Sequence, residues 1–472
     1  MKRHKGRDSQ KNFMTKQVEE TERETLRSVL KEERQEFARP ASRRSRLALA
    51  VRALRHRNFQ LFFAGQLISL IGTWMQTVAQ SWLVYRMTGS ALLLGAVGFA
   101  SQIPVFIMAP IGGIVADRHN RRRVVIGTQA ASMILAAILA ALTLTGRVQV
   151  WQIMMLAAGL GVVNAFDIPA RQAFLIDMVG REDLLNAIAL NSSMFNGARI
   201  IGPAIAGILV ASIGEGWCFF ANAVSYIAVI AGLLLMRIRH AANLASHGSP
   251  LENILEGFAF ARNTGPIREI LLLLGLVSFV GMPYAVLMPV FADQILHGGA
   301  RGLGILMGAT GVGALLGAAS LAARVGVRGL GKLIAICAGG FGISLILFSL
   351  SRTFWLSTVL LLPVGFSMMV QMASSNTLIQ AMTPDRLRGR IMSVYSMMFM
   401  GLAPFGALSA GAVAHHIGAP WTVALGGVMC IVGAILFGTH LPRIRGEARE
   451  LVLGQGMTAG APAQGATSEG LS

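Results

Sequence analysis

The feature that most constrains this chain is a series of long apolar stretches, about a dozen in all, separated by short polar loops. A bilayer core ~30 Å thick is crossed by ~20 apolar residues of helix. Residues 91–116 and 359–380 reach this length without a charged residue. Because lipid offers no water to the backbone, segments of this length must form α-helices. The sequence therefore predicts an all-α protein that crosses the membrane many times.

Composition excludes several other classes of protein. Charged residues make up 13% of the 472 residues, against about 25% in soluble proteins. The net charge of +19 resides in loops beside the apolar stretches, so we expect no nucleic-acid partner. The cysteines at 218, 337 and 430 are scattered in apolar segments, which predicts buried thiols and no metal site. No nucleophile–base pair or metal-ligand set stands out, so neither an enzyme nor a cofactor is expected.

Hydropathy predicts twelve membrane spans, and the basic residues predict their orientation. The predicted spans are residues 59–84, 91–116, 122–145, 149–169, 187–213, 216–237, 267–292, 301–323, 330–350, 353–380, 388–416 and 418–441. Of the 41 lysines and arginines, 36 lie on the side of the termini and four in the opposite loops. Cytoplasmic loops are enriched in Lys and Arg, so both termini are predicted to be cytoplasmic. Tryptophans favour the membrane interface, and five fall at the predicted outer ends: Trp82, Trp151, Trp217, Trp355 and Trp421.

The chain also contains an internal repeat. Residues 67–72 (LISLIG) match residues 276–281 (LVSFVG). This similarity predicts two parallel six-helix repeats with a substrate site between them near the midplane of the membrane. The predicted parts are a basic cytoplasmic tail with an interfacial helix near its end (1–57), two helical bundles (58–238 and 266–441), a cytoplasmic loop between them (239–265) and a largely disordered cytoplasmic tail (442–472).

A short pattern after the second span identifies a family resemblance. The pattern consists of Gly113, Asp117, Arg118, Arg121 and Arg122. It resembles the G-x-x-x-D-R-x-G-R-R/K signature of the major facilitator superfamily, with Asn120 where the signature has glycine. Asparagine tolerates a left-handed turn, which would make the exchange mild. The resemblance implies that Asp117 braces the two halves and closes the cytoplasmic side, with Arg390 as its candidate ion-pair partner.

The fifth span carries a glycine–proline pattern that includes Gly202 and Pro203. This pattern resembles one found in exporting members of the superfamily, although close helix packing would also explain it. Residues 54–76 and 169–191 resemble the transmembrane secretion effector branch of the superfamily. The branch implies efflux of small molecules, including siderophores and drugs, across a bacterial inner membrane.

Arg199 is the most informative single residue because it lies deep within the fifth predicted span. A central arginine costs about 2.5–3.5 kcal/mol on membrane-insertion scales, and no carboxylate is predicted at its depth. Two explanations remain open. Arg199 meets an anionic substrate in a central cavity, or it bonds to backbone carbonyls and to polar neighbours such as Asn191, Asn196 or Gln76.

Polar residues in other spans are further candidates for substrate binding. The first span carries Gln66, Ser69, Gln76 and Gln80 at helical spacing, together with Trp74. Their shared face points to a cavity or makes polar contacts between helices. The weaker candidates are Asn164, Asn222, Tyr226, Tyr284, Gln371 and Asn376.

These observations lead to one functional hypothesis. We expect a monomeric exporter of a small organic molecule in the lipid bilayer, working by alternating access. The resemblance implies proton antiport, for which Asp167 and Asp293 are the candidate coupling residues. A nutrient importer of the same fold and a non-transporting receptor or scaffold are the alternatives.

Overall fold

The computed structural model describes residues 51–237, 250–324, 326–327 and 329–459. Twelve helices in these ranges are long and apolar enough to cross a membrane, which confirms the predicted number. In the first repeat they are α1 (Arg57–Thr88), α2 (Ala91–Arg118), α3 (Arg121–Leu144), α4 (Val150–Val179), α5 (Leu184–Ile213) and α6 (Glu215–Leu235). A shorter helix, α7 (Pro250–Asn263), leads to the second repeat. There the helices are α8 (Gly265–Ile295), α9 (Gly299–Ala322), α10 (Leu330–Leu350), α11 (Phe354–Met382), α12 (Asp385–Ile417) and α13 (Ala419–Ala459).

Local chemistry explains where several helices begin. The side chain of Ser90 accepts a hydrogen bond from the backbone N–H of Leu93 and so caps α2. Asn120 caps α3 in the same way, by accepting from the N–H of Arg123. Asn120 has an extended backbone with φ of −64°, so the left-handed turn suggested from the sequence is wrong. A capping side chain is the physical reason why asparagine is suited to this position.

Three segments differ from the sequence predictions. Helix α4 continues to Val179, ten residues beyond the predicted end at 169, because Pro169 lies inside it without ending it. Helix α13 runs past Pro442 to Ala459, so residues 442–459 of the predicted disordered tail are helical. Residues 250–263 of the predicted loop form α7. Residues 238–249 and 460–472, together with residues 1–50 of the N-terminal tail, lie outside the described residues.

Helices α8 and α12 are interrupted, whereas the sequence predicted continuous spans. In α8 a π-helical turn at Val277–Gly281 is followed by a 3₁₀ turn at Met282–Ala285 and a second π turn at Phe291–Ile295. In α12 the π turn lies at Met397–Gly401. Hydropathy is insensitive to these changes because it depends on side-chain identity and not on the spacing of backbone hydrogen bonds.

The two repeats share a close helix contact made possible by glycine. Gly112 in α2 lies against the carbonyl oxygen of Ala165 in α4, too close for any Cβ atom. Gly365 in α11 lies equally close to the carbonyl oxygen of Thr310 in α9. The second and fourth membrane helices of each repeat therefore pack in the same way. The matched packing agrees with the two parallel six-helix repeats that the sequence predicted.

The bundle has two chemically different ends. The arginine-rich end carries Asp117, Arg121 and Arg390. The tryptophan-rich end carries four exposed indoles, those of Trp151, Trp217, Trp355 and Trp421. The fifth tryptophan predicted for this end, Trp82, is buried among the helices. It is therefore part of the core rather than of an interfacial belt.

The repeats touch each other near the tryptophan-rich end. A Cβ atom on Gly95 of α2 would lie 2.5 Å from the carbonyl oxygen of Ala407 in α12. A Cβ atom on Gly304 of α9 would lie 2.6 Å from the carbonyl oxygen of Pro203 in α5. Backbones this close leave no space for a solute to pass between these helix pairs at that level.

The arginine-rich end is open by comparison. Asp117 and Arg118 are exposed, and a Cβ atom added at Gly113 or Gly389 would meet nothing within 4 Å. Among the described residues, α2 packs against the second part of α12, while the first part, Asp385–Ser396, packs against α7. The structure is therefore closed near the tryptophan-rich end and open near the arginine-rich end.

Candidate functional site

Arg199 of α5 lies against the indole of Trp74 in α1. The guanidinium carbon is 5.6 Å from the centroid of the indole ring, which is a cation–π distance. Gly202 permits this approach, because a Cβ atom there would lie 2.5 Å from the Cβ atom of Trp74. Arg199 and Gly202 are three residues apart and share one face of α5. The glycine–proline pattern and the buried arginine therefore belong to one local arrangement.

The charge of Arg199 lies midway along α5, and no described residue provides a counter-ion for it. Arg199 is 15 residues from Leu184 and 14 from Ile213, the two ends of α5. Within the described ranges its half-buried guanidinium makes no ion pair and no hydrogen bond. Two of the polar neighbours considered from the sequence are engaged elsewhere. Asn196 donates to the carbonyl of Ser192, and Gln76 accepts from Asn222.

Aromatic side chains extend the arrangement around Arg199. Phe195, one turn before Arg199 in α5, meets Trp74 edge-to-face with 5.6 Å between ring centroids. Phe195 is exposed and was missed in the sequence analysis, although its spacing from Arg199 places both on one helix face. Tyr284 of α8 is buried as well. Arg199 and Trp74 are thus predicted site residues that the structure brings together.

The polar face of α1 lies inside the first repeat. Gln66, Ser69 and Gln76 are buried, so their side chains do not face an open cavity as expected. The side-chain amide of Asn222 in α6 donates to Gln76 Oε1 at 2.7 Å. This bond favours the alternative of polar contacts between helices for Gln76 and Asn222. Gln80 is half-buried near the tryptophan-rich end of α1.

The weaker substrate-binding candidates are dispersed. Tyr226 is buried, with its hydroxyl 3.5 Å from the hydroxyl of Thr73. Gln371 is buried in α11, and both polar atoms of its side chain lack a hydrogen-bond partner in the described structure. Asn164 and Asn376 are half-buried, and Asn376 accepts a bond from Gln380 at 2.5 Å. None of these contacts links them to Arg199.

The predicted gating residues divide into two groups. Arg121 pairs with Asp177 of α4 at 3.2 Å. Arg122 donates to the carbonyl oxygens of Leu233 and Leu234 at 2.8 and 2.9 Å, and so satisfies the end of α6. These two arginines therefore hold the first repeat together. The second group contains Asp117, Arg118 and Arg390.

Arg390 has a different partner from the one expected. Its guanidinium pairs with Glu256 of α7, and Glu256 also pairs with Arg386 at 3.3 Å. Asp117 is exposed and forms no ion pair with another described residue. The expected Asp117–Arg390 pair is therefore not formed in this conformation. The physical reason is that the arginine-rich end is open.

The two candidate coupling carboxylates lie in different surroundings. Asp167 is buried in α4, where Oδ1 accepts from Thr128 Oγ1 at 2.8 Å and from Gln129 Nε2 at 2.9 Å. Its other oxygen lies 3.4 Å from Arg171 Nε. Asp293 is exposed near the tryptophan-rich end of α8. Asp167 is therefore the carboxylate that is shielded from bulk water.

No cluster of three or more His, Cys, Asp or Glu side chains suited to a metal ion occurs among the described residues. The three cysteines are free and buried. The chemical groups at the centre of the bundle are thus a cation, aromatic rings and a few neutral polar side chains. Groups of these kinds can bind and orient a solute.

Comparisons with known proteins agree with this architecture. The family model described as "Transmembrane secretion effector" matches residues 48–455. The Staphyloferrin A transporter of Staphylococcus aureus is 26% identical over 379 residues, covering 80% of this chain and 94% of the relative. The Enterobactin exporter EntS of Citrobacter koseri is 25% identical over 395 residues, covering 84% and 93%.

Solved structures support the fold. The nucleoside transporter NupG has a TM-score of 0.63 at 16% identity, covering 82% of this chain and 98% of that protein. A bacterial homologue of the human lysosomal transporter Spinster, in an inward-facing and unoccupied conformation, has a TM-score of 0.57 at 16% identity, covering 84% and 97%. At these identities the likeness concerns the fold alone.

Proposed function

Because this chain belongs to the transmembrane secretion effector family, we propose that it exports a small organic anion across the bacterial inner membrane by alternating access. The family and its relatives are secondary transporters of the major facilitator type rather than enzymes. The cargo we propose is siderophore-like or drug-like. The named relatives support this class, since they include siderophore transporters and a macrolide efflux protein.

The observation that carries the proposal is the unpaired positive charge of Arg199 on the face of Trp74. A guanidinium near the middle of a membrane is costly unless it finds a partner. An anionic cargo would supply that partner when it binds. Phe195, exposed beside the pair, offers an apolar surface for the body of the cargo.

The direction of transport is proposed from two features. The arginine-rich end is the cytoplasmic end if the positive-inside rule holds here. The opening at that end would then admit cargo from the cytoplasm, and closure there would precede release outside. The named relatives include an enterobactin exporter and efflux proteins, which supports outward movement.

Coupling to protons is proposed through Asp167. Its carboxylate is buried yet bonded to two neutral side chains and to Arg171. A carboxylate in such a site can exchange a proton when the surrounding helices rearrange. Asp293 is exposed and therefore lacks the shielding that separates the two sides of the membrane.

The experiment begins with identification of the cargo. Compounds in the medium of a deletion strain are compared with those in the medium of the wild type. We expect the missing compound to be an anion at pH 7. Its uptake into everted and right-side-out vesicles then decides the direction, because an exporter concentrates cargo in everted vesicles and an importer does the reverse.

Substitutions at Arg199 test the site itself. Arg199→Ala should lower uptake into everted vesicles by about 10- to 100-fold, because a charge-assisted bond to the cargo is lost. Arg199→Lys keeps the charge and should have an intermediate effect. Asn196→Ala is the matched control, since Asn196 bonds within its own helix. Unchanged uptake by a well-folded Arg199→Ala protein would contradict the proposed role.

A further inference from the structure

Helices α2 and α12 lie side by side in a definite antiparallel register. Gly95 contacts Ala407 and Gly411, Gly98 contacts Ala407, and Gly401 contacts Phe106. The contacting residue in α2 advances from 95 to 106, while the contacting residue in α12 goes back from 411 or 407 to 401. The two helices diverge beyond Phe106 toward the arginine-rich end.

Continuing this register predicts what meets when that end closes. The opposing residue numbers add to between 502 and 507, and the contact nearest the arginine-rich end, Phe106 with Gly401, adds to 507. Two regular antiparallel helices keep this relation because both have the same rise per residue, and the π turn Met397–Gly401 of α12 shifts it by about one residue. Asp117 would then face residues 389 and 390, which are Gly389 and Arg390. Arg390 is therefore within reach of Asp117 in the closed arrangement.

In the present conformation a second carboxylate already holds Arg390. Glu256 of α7 pairs with its guanidinium. Helix α7 is packed tightly on α12, since a Cβ atom on Gly257 would lie 2.8 Å from the carbonyl oxygen of Arg390. Phe258 and Ala261 anchor α7 in the core of the second repeat. Glu256 thus moves together with Arg390, whereas Asp117 belongs to the other repeat.

We propose that Glu256 is a positioning residue that competes with Asp117 for the guanidinium of Arg390. Arg390 binds Glu256 while the arginine-rich end is open and exchanges it for Asp117 when that end closes. The exchange keeps the arginine paired in both conformations, so neither conformation leaves its charge without a partner. The balance of the two carboxylates then sets the proportion of molecules that are open or closed. This inference rests on the proposed alternating access.

Disulfide formation between two introduced cysteines measures closure at this end. Gly113→Cys and Ser393→Cys are suited to the purpose, because the register places these positions opposite each other. Gly113 has open space around it and Ser393 is exposed in the present conformation. The three native cysteines are buried and are replaced by alanine. The initial rate of oxidative cross-linking in native membranes then reports the closed population.

The carboxylates should have opposite effects on this rate. Glu256→Gln should raise it about 2- to 5-fold, the effect of losing one partly exposed ion pair. Asp117→Asn should lower it by a similar factor. Asp385→Asn is the matched control. Asp385 lies on the same helix as Arg390, and its carboxylate pairs with Arg388 and not with Arg390. It should leave the rate unchanged.

A double substitution separates competition for Arg390 from a general effect of charge. In an Arg390→Gln background, Glu256→Gln should no longer change the cross-linking rate. An equal acceleration with and without Arg390 would overturn the exchange. An unchanged cross-linking rate in Glu256→Gln, in a parent protein that does cross-link, would also overturn the exchange. If no variant cross-links at all, closure at this end fails, and the proposed alternating access fails with it.

Discussion

Two charged side chains lie deep among the helices, and the structure accommodates them differently. Asp167 is paired with Arg171 and accepts two further hydrogen bonds, one of them from Thr128. Arg199 has the face of Trp74 and no counter-ion in the described structure. A buried charge with partners is stable, whereas one without partners is costly. The partners of Asp167 stabilise its charge, whereas Arg199 lacks the counter-ion that we propose an anionic cargo supplies.

Asp167→Asn tests the coupling role at the scale of one residue. Asparagine keeps an acceptor for Thr128 and Gln129 but cannot exchange a proton. We expect transport driven by a pH gradient to fall to near background. Counterflow, in which unlabelled cargo on one side drives labelled cargo from the other, should continue because it needs no net proton movement.

Asp293→Asn serves as the comparison in the same vesicles. Asp293 is exposed, so we expect both pH-driven transport and counterflow to resemble those of the unmodified protein. Loss of pH-driven transport in Asp293→Asn, with retention in Asp167→Asn, would assign coupling to the other carboxylate. Thermal unfolding of each variant in detergent shows whether a loss of transport reflects misfolding.

At the scale of elements, the interrupted helices α8 and α12 meet at their irregular turns. The hydroxyl of Ser278, within the π turn Val277–Gly281, donates to the carbonyl oxygen of Phe399, within the π turn Met397–Gly401. A π turn displaces carbonyl groups from the regular hydrogen-bond pattern of the helix. The bond from Ser278 therefore satisfies a polar group that would otherwise lie in an apolar environment.

Ser278→Ala should destabilise this junction. Removing the donor leaves a carbonyl without that partner, at a cost of about 1–3 kcal/mol. The matched control is Ser349→Ala, because Ser349 is fully buried and its hydroxyl bonds to Ile346 within the same helix. We expect a clearly larger fall in Tm for Ser278→Ala than for Ser349→Ala, measured in one detergent. Equal changes would mean that the bond between the π turns adds nothing.

At the scale of the whole molecule, the repeats are joined near one end and separated near the other. Gly95 and Gly304 bring backbones of the two repeats into contact near the tryptophan-rich end. The exposed Asp117 and the space around Gly113 mark the open end. Rigid repeats that touch at one level can rock about that contact. The function we propose requires that the open end face the cytoplasm.

Labelling of single cysteines tests this orientation. Thr145 is exposed in the loop after α3 at the tryptophan-rich end, and Arg181 is exposed in the loop after α4 at the arginine-rich end. In intact cells a membrane-impermeant thiol reagent should label Thr145→Cys and leave Arg181→Cys unmodified. Permeabilised cells should show labelling of both. The reverse pattern would place the arginine-rich end outside and reverse the proposed direction of transport.

Much of the fold was predictable from the sequence because the information is local. Each span is a continuous apolar segment, so its presence does not depend on which helix it packs against. The short patterns around Asp117 and Gly202 also indicated the family before any contact was known. Even so, local information failed at Pro169 and at the π turns of α8 and α12, where backbone hydrogen bonding is decided by neighbouring helices.

The sequence by itself determined the membrane-spanning class, the number of helices, their repeat and the family. Only the tertiary structure decided which polar groups meet: Arg199 with Trp74, Gln76 with Asn222, and Arg390 with Glu256. The partners in each pair are more than 120 residues apart in the chain. Hydropathy follows from the identity of each residue, whereas such contacts depend on how close and at what angle the helices pack.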